Sequence, residues 1–204
     1  SLPEYGWQRI ECDPSVEGQN DVSKTGRSRV EECILPEIFR KALQRINSQI
    51  DTEILNGIVK EYQKDYTGTD MVDTNYKFYN QLRNGIRVKI HKNGREDFDI
   101  VKLIDFDDPK NNDFHCVNQM WIKGHFRYRR PDVLLFVNGL PLVFIELKNS
   151  TVKVEESYNK NLVSYRKDIP NIFALNQICV LSNGLQTKIG AWNAGYEFFF
   201  EWLR

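Results

Sequence analysis

The stretch "RRPDVLLFVNGLPLVFIELKNS", residues 129–150, decides how this chain folds. Two apolar runs flank Asn138-Gly139, and Asn-Gly between such runs is the strongest short-range hairpin signal, so the segment reads as two buried strands. Yet Asp132 stands where the first strand begins, and Glu146 and Lys148 stand where the second ends. An unpaired charge costs several kcal/mol to bury, so three charges at these positions need a reason.

Outward from this hairpin the pattern repeats. Further Asn-Gly pairs at 84–85, 93–94 and 183–184 predict more hairpins, with strands near 86–92, 98–105, 114–128, 132–137, 141–148, 177–182 and 185–190. Helical period runs from Arg29 to Ile50 with Pro36 near its start, a second helix is expected over Thr52–Lys64, and a third over about 154–168. Residues 12–28 are polar and rich in turn formers, and read as a loop. Helices, then a hairpin-rich sheet, then a helix crossing to another strand predict an α/β fold with a mixed central sheet flanked by helices.

At 204 residues the chain is long enough for one domain with a good core. Its 28 Lys and Arg equal its 28 Asp and Glu, which argues against a domain that grips nucleic acid by net charge alone, so any such grip must be local. The four cysteines lack CxxC spacing, and no apolar run approaches the roughly 18 residues of a membrane span. With no leader pattern either, a reducing cytoplasm is expected. No phosphate-binding loop of the G-x-x-x-x-G-K-[ST] kind occurs. The three histidines have no ligand spacing.

Glu146 and Lys148 are two apart on a strand, so they share a face, separated by roughly 6.7 Å along it. A carboxylate and an ammonium on one face, with a second carboxylate from the neighbouring strand, can hold a divalent metal and a water. Mg²⁺ favours one or two carboxylates, several waters and a substrate phosphate oxygen, which is an arrangement suited to phosphodiester hydrolysis. A plain ion pair at a strand end is the alternative.

"RPDVLLFVNGLPLVFIELK" resembles the PD-(D/E)xK nuclease motif, in the version found in the restriction (R) subunit of type I restriction-modification enzymes. "LPEIFRKALQRIN", "LIDFDDPKNNDFHCVNQMWIKG", "NLVSYRKDIPNIF" and "LSNGLQTKIGAWNAG" are similar to blocks of that subunit's N-terminal domain in the same order. The resemblance implies a restriction-endonuclease-like sheet. It also implies that Asp132 and Glu146 bind Mg²⁺ with help from the Leu147 carbonyl, and that Lys148 is the catalytic lysine. The family's downstream Gln-xxx-Tyr motif, which helps position DNA, falls on Asn161 and Tyr165, so here the Gln is one methylene shorter. Spacing of i, i+4 on a helix puts both on one face. Tyr165 is equally a candidate core aromatic.

By the same resemblance, the nuclease domain covers 29–195, residues 1–28 are a polar N-terminal segment, and 196–204 begin a linker toward a motor domain. That motor would use ATP, and the assembled enzyme would include modification (M) and specificity (S) subunits and cleave unmodified double-stranded DNA. The chain opens at Ser1 without Met, so a fragment is expected. An early helix that often adds an acidic residue would precede Gly6-Trp7, leaving Glu31 or Glu32 as possible substitutes. A PD-(D/E)xK nuclease of another DNA-processing system, and a non-catalytic docking domain that keeps the motif, are the rival readings.

Two further expectations come from local pattern. With a two-residue Asn138-Gly139 turn, Val137 pairs Leu140, Asp132 falls opposite Ile145, and Asp132 and Glu146 point to opposite faces. A shared metal therefore requires a three-residue loop with a Gly bulge, or a bend near Pro131. In "IKGHFRYRR", Lys123, His125, Arg127 and Arg129 alternate with other residues, so one strand face would carry four potential cations toward Asp132. That face is either a phosphate track or an ordinary solvent-facing side.

Overall fold

A computed structural model describes residues 6–12, 21–92 and 94–202. The chain is α/β. Among the described residues the main sheet has the order β1-β4-β7-β8-β9-β10-β11. Its strands are β1 (Gln8–Glu11), β4 (Phe114–Asn118), β7 (Val133–Val137), β8 (Leu140–Leu147), β9 (Ile178–Ser182), β10 (Thr187–Gly190) and β11 (Phe200–Glu201). Parallel pairing joins β1 to β4 and β8 to β9, and the other neighbours are antiparallel, so the sheet is mixed as its sequence pattern predicts.

Helices α1 (Asp21–Thr25), α2 (Pro36–Ile46), α3 (Thr52–Tyr62) and α4 (Met71–Asn84) precede the sheet's centre, with a separate hairpin of β2 (Ile86–Lys92) and β3 (Arg95–Val101). The crossover from β8 to β9 is helical. It consists of α5 (Val154–Glu156), a π-helical stretch (Ser157–Leu162) and α6 (Val163–Asp168) end to end. This crossover buries Val154, Leu162 and Tyr165 against Leu134, Phe136, Phe144 and Leu181 of the sheet. A second apolar cluster fills the space between α2, α3, α4 and the β2–β3 hairpin.

Several expectations need correction. The helical period read over Arg29–Ile50 yields a helix only over Pro36–Ile46: Pro36 marks its first turn, as expected, while residues 29–35 are used as a connection. The α4 helix is absent from the sequence reading, although Asp70 caps it by accepting from Val72 and Asp73 N–H. Asn84-Gly85 is no hairpin turn. Gly85, at φ 75°, ends α4, and its N–H donates to the Gln81 carbonyl. Part of the expected loop is helical, as α1, while residues 13–20 lie outside the described residues. Asn93 of the second Asn-Gly pair also lies outside them; the strands around it do form a hairpin.

The Asn138-Gly139 turn has two residues, both at positive φ (51° and 79°), as a hairpin of this length demands. Val137 pairs Leu140 and Phe136 pairs Pro141, as expected. Then the register shifts. Leu135 pairs Val143, so Leu142 is extra, and Val133 pairs Ile145. This β-bulge re-aims everything after it by one residue. Continued one step, the register sets Asp132 beside Glu146, not opposite Ile145. Neither a three-residue loop nor a bend at Pro131 was needed. The freed backbone at the bulge is satisfied, since the Leu142 carbonyl accepts from Gln177 N–H (2.9 Å) and from the Asn176 amide (3.2 Å).

The turn itself is anchored. Leu35 N–H donates to the Gly139 carbonyl at 2.9 Å, and a Cβ on Gly139 would sit 2.6 Å from the Leu35 oxygen, so only Gly fits. Asn138 is fully buried, with its amide donating to the Leu103 carbonyl (2.9 Å) and to Asn112 Oδ1 (2.8 Å) and accepting from Asp113 N–H (2.8 Å). Asn138→Ala strands these groups in a place without water, at a backbone angle Ala dislikes. The expected loss of stability is about 2–4 kcal/mol. Urea unfolding measures it; a loss below about 1 kcal/mol would mean the three bonds are not what holds the turn.

Candidate functional site

Three strand ends and one helix meet at the motif. Asp132 lies just before β7, Glu146 near the end of β8, and Lys148 just after β8, where its N–H donates to the Ser182 carbonyl of β9 at 2.8 Å. Because of the bulge, Glu146 points with Phe144 toward the helical crossover and is 2% exposed. One of its oxygens, Oε1, accepts from Lys148 Nζ at 2.8 Å and from the Asn161 amide. The other, Oε2, is buried with no hydrogen-bond partner.

Asp132 is held differently. Its Oδ1 accepts from Gln119 Nε2 at 3.0 Å and its Oδ2 from Leu147 N–H at 2.8 Å. Since Leu147 turns its N–H to this side of β8, its carbonyl lies along the same strand edge, beyond the end of β7. Asp132, Leu147 and Lys148 line a cavity of about 400 Å³ together with Glu11, Asn118, Gln119, Val133 and Asn149. A larger hollow of about 800 Å³, between the start of α3 and the β2–β3 hairpin, contains none of these groups.

Burial pushes the Glu146 carboxyl above the usual carboxylate range, and the Asp132 charge adds to this, while the Lys148 bond and charge and the Tyr165 hydroxyl oppose it. Tyr165 is buried, packs edge-on against Phe144 with ring centroids 5.2 Å apart, and donates its hydroxyl to the Arg130 carbonyl at 3.1 Å. Burial, then the Glu146 and Asp132 charges, raise its pKa far above the ordinary phenol value, so it stays protonated. Tyr165 is thus both a core aromatic and a neighbour of the carboxylates. Asn161 reaches Glu146 despite its shorter side chain because it sits in the π-helical stretch, whose extra residue re-aims the side chains there.

The four alternating cations do not share a strand face. β4 ends at Asn118, Gln119 takes a left-handed backbone (φ 57°), and residues 122–129 form a small hairpin of β5 (Ile122–Lys123) and β6 (Tyr128–Arg129). Gly124 sets this reversal, since a Cβ there would lie 1.7 Å from the Asp168 carbonyl at the end of α6. Lys123 pairs with Glu31 (3.3 Å), His125 lies 3.4 Å from Asp65, and Arg129 binds Asp168 through Nε (2.7 Å) and Nη2. Arg127 is exposed.

Neither Glu31 nor Glu32 lines the cavity at Asp132. Glu32 is buried and accepts from Ser28 N–H (2.9 Å) and Oγ (2.6 Å), so it organises the approach to α2. Glu11, at the end of β1, is the further acidic residue on that cavity; its Oε1 accepts from the Asn118 amide at 3.0 Å. Sequence reasoning missed Glu11 and Gln119 because both reach the motif through strand pairing far along the chain.

Among the described residues no group of three His, Cys, Asp or Glu side chains converges. Two carboxylates, one with a buried unpartnered oxygen, and a strand-edge carbonyl suit a hard cation that keeps waters. For the ion-free protein the sign of the Glu146 shift has a consequence. A raised native pKa means that ionisation costs stability as pH rises through and above the ordinary carboxylate value. Glu146→Gln is therefore expected to raise the urea midpoint at pH 7 in EDTA, with the gain shrinking toward pH 4. A variant less stable at pH 7 than at pH 4, relative to the parent, would contradict the desolvation argument.

The chain matches, over residues 1–198, the family described as "Type I restriction enzyme R protein N terminus". It is 33% identical over 183 residues to the type I restriction enzyme HindI endonuclease subunit of Haemophilus influenzae, covering 88% of this chain and 17% of that protein. A putative type I restriction enzyme MjaIXP endonuclease subunit of Methanocaldococcus jannaschii is 34% identical over 184 residues, covering 86% of this chain and 17% of the relative. The chain thus spans about a sixth of the length of these relatives. On the family match, and on relatives aligned with most of its length, this chain belongs to the type I restriction enzyme R protein N-terminal family.

Proposed function

We propose that this chain is the metal-dependent endonuclease domain of a type I restriction enzyme, hydrolysing phosphodiester bonds in double-stranded DNA. The observation that carries the reading is the buried, unpartnered Glu146 Oε2 on the face it shares with Asp132. A protein gains no stability from such an atom, and a cation gives it a partner. Asp132, Glu146 and the Leu147 carbonyl would hold Mg²⁺, which when bound supplies positive charge to the scissile phosphate and lowers the pKa of the attacking water.

The chain's own groups do the rest. Lys148, held by Glu146 and lining the cavity with Asp132, orients the water, and takes a proton from it only as the neutral amine, after giving up its own. Asn161 fixes Glu146 from the helix side, and with the protonated Tyr165 packed beside it sets the wall against which DNA is positioned. Arg127 is the exposed cation for phosphate contact, whereas Lys123 and Arg129 would first have to leave Glu31 and Asp168. In the longer polypeptide an ATP-driven motor would translocate DNA, modification and specificity subunits would direct cleavage to unmodified sites, and the cytoplasm would be the setting.

The test is Lys148→Ala in the full-length subunit. Restriction is expected to fall about 10²–10⁴-fold while translocation persists, the range for losing a positioned proton-transfer group. Survival of restriction would overturn the assigned chemistry. For the DNA path, Arg127→Ala is expected to reduce the slope of log binding constant against log salt by about 0.9, one phosphate contact's share. An unchanged slope would leave Arg127 off the path.

A further inference from the structure

We infer that Gln119 is a positioning residue for the metal-binding carboxylate Asp132, an inference that rests on the nuclease reading of the same site. Gln119 bonds Asp132 twice. Its main-chain N–H donates to the Asp132 carbonyl at 3.0 Å, and its side-chain amide donates to Oδ1 at 3.0 Å. The first bond extends the β4–β7 ladder one step beyond the Asn118–Val133 pair. The second comes from outside that ladder.

Its backbone makes this unusual. Gln119 has φ 57°, a left-handed conformation that Gly and Asn tolerate and Gln rarely adopts. Such a conformation persists where surrounding contacts over-determine it, and it concentrates at sites with a geometric task. Here the reversal ends β4 and sends the chain into the small β5–β6 hairpin, while the amide stays on the cavity beside Asp132.

The consequence for Asp132 is geometric. Gln119 Nε2 takes one carboxylate oxygen and Leu147 N–H takes the other, so the carboxylate plane is clamped between β4 and β8. Each oxygen still has a lone pair to give. A ligating carboxylate with its orientation fixed in advance binds a cation more tightly than one free to rotate, and loss of an outer partner of this kind costs about 10–100-fold in metal affinity.

The variants that separate this role from a folding role are Gln119→Gly and Gln119→Asn, because both suit the positive φ better than Gln does. A purely conformational role predicts an unchanged or higher thermal midpoint and unchanged metal binding. Positioning predicts an unchanged or higher midpoint with Mn²⁺ bound about 10–100-fold more weakly and an altered electron paramagnetic resonance spectrum of the bound ion. The measurement is Mn²⁺ titration of this chain by calorimetry, with Asp132→Ala alongside. If Asp132→Ala abolishes binding but both Gln119 variants bind within two-fold of the parent, positioning is wrong and the nuclease reading stands. If both variants lose midpoint along with affinity, Gln119 is structural and the inference fails. If the parent binds no Mn²⁺, or Asp132→Ala binds it equally well, the metal site fails and takes the inference with it.

Discussion

One extra residue in a strand, Leu142, governs the rest of this site. A strand's side chains alternate, so without the bulge Glu146 would turn to the face away from Asp132 and the crossover helix. With it, Glu146 lies under that helix, out of water, beside Asp132. The hairpin keeps its tight two-residue turn because the register change happens two residues into β8, and the Leu142 carbonyl it frees is taken up by Asn176 and Gln177 just before β9. A parallel neighbour reached by a long crossover thus stabilises an irregularity in an antiparallel pair.

The arrangement is costly to the fold, and on the proposed metal-dependent reading the same feature would serve a bound cation. Glu146 is desolvated, and only one of its two oxygens is satisfied. Lys148 offsets part of that cost. Tyr165 and Asn161 confine the carboxylate from the helix side, and Asp132 is confined from the sheet side by Gln119 and Leu147. Two acidic groups with such different surroundings are each held in a fixed orientation, which on the proposed reading would spare the site reorganisation on binding.

The run of alternating basic residues has a structural explanation. Lys123, His125 and Arg129 are each matched by an acidic partner from a different part of the chain, Glu31, Asp65 and Asp168. These pairs fasten the β5–β6 hairpin to the approach to α2, to the segment after α3, and to the end of α6. What reads in sequence as a basic strip is largely a set of ties that hold an irregular connection in place. On the proposed nuclease reading, DNA contact on this side would fall to exposed groups such as Arg127.

The sequence by itself determined the α/β class, the central hairpin with its Asn-Gly turn, the crossover helix, and the motif residues Asp132, Glu146 and Lys148, because period and turn chemistry act over a few neighbouring residues. Asn161 and Tyr165 were legible through their match to the family motif, while the π-helical stretch that holds Asn161 was not. Pro141 within a strand was a local hint of the bulge, since Pro is tolerated in central strands mainly at such irregularities. Where the bulge fell was decided by Asn176 and Gln177, more than thirty residues on in the case of the Asn176–Leu142 bond. Likewise Glu11, Gln119 and the ion-paired cations acquired their places from strand pairing and from the close approach of Gly124 to Asp168. Contacts between distant segments depend on how whole elements pack, and no short window of sequence carries that information.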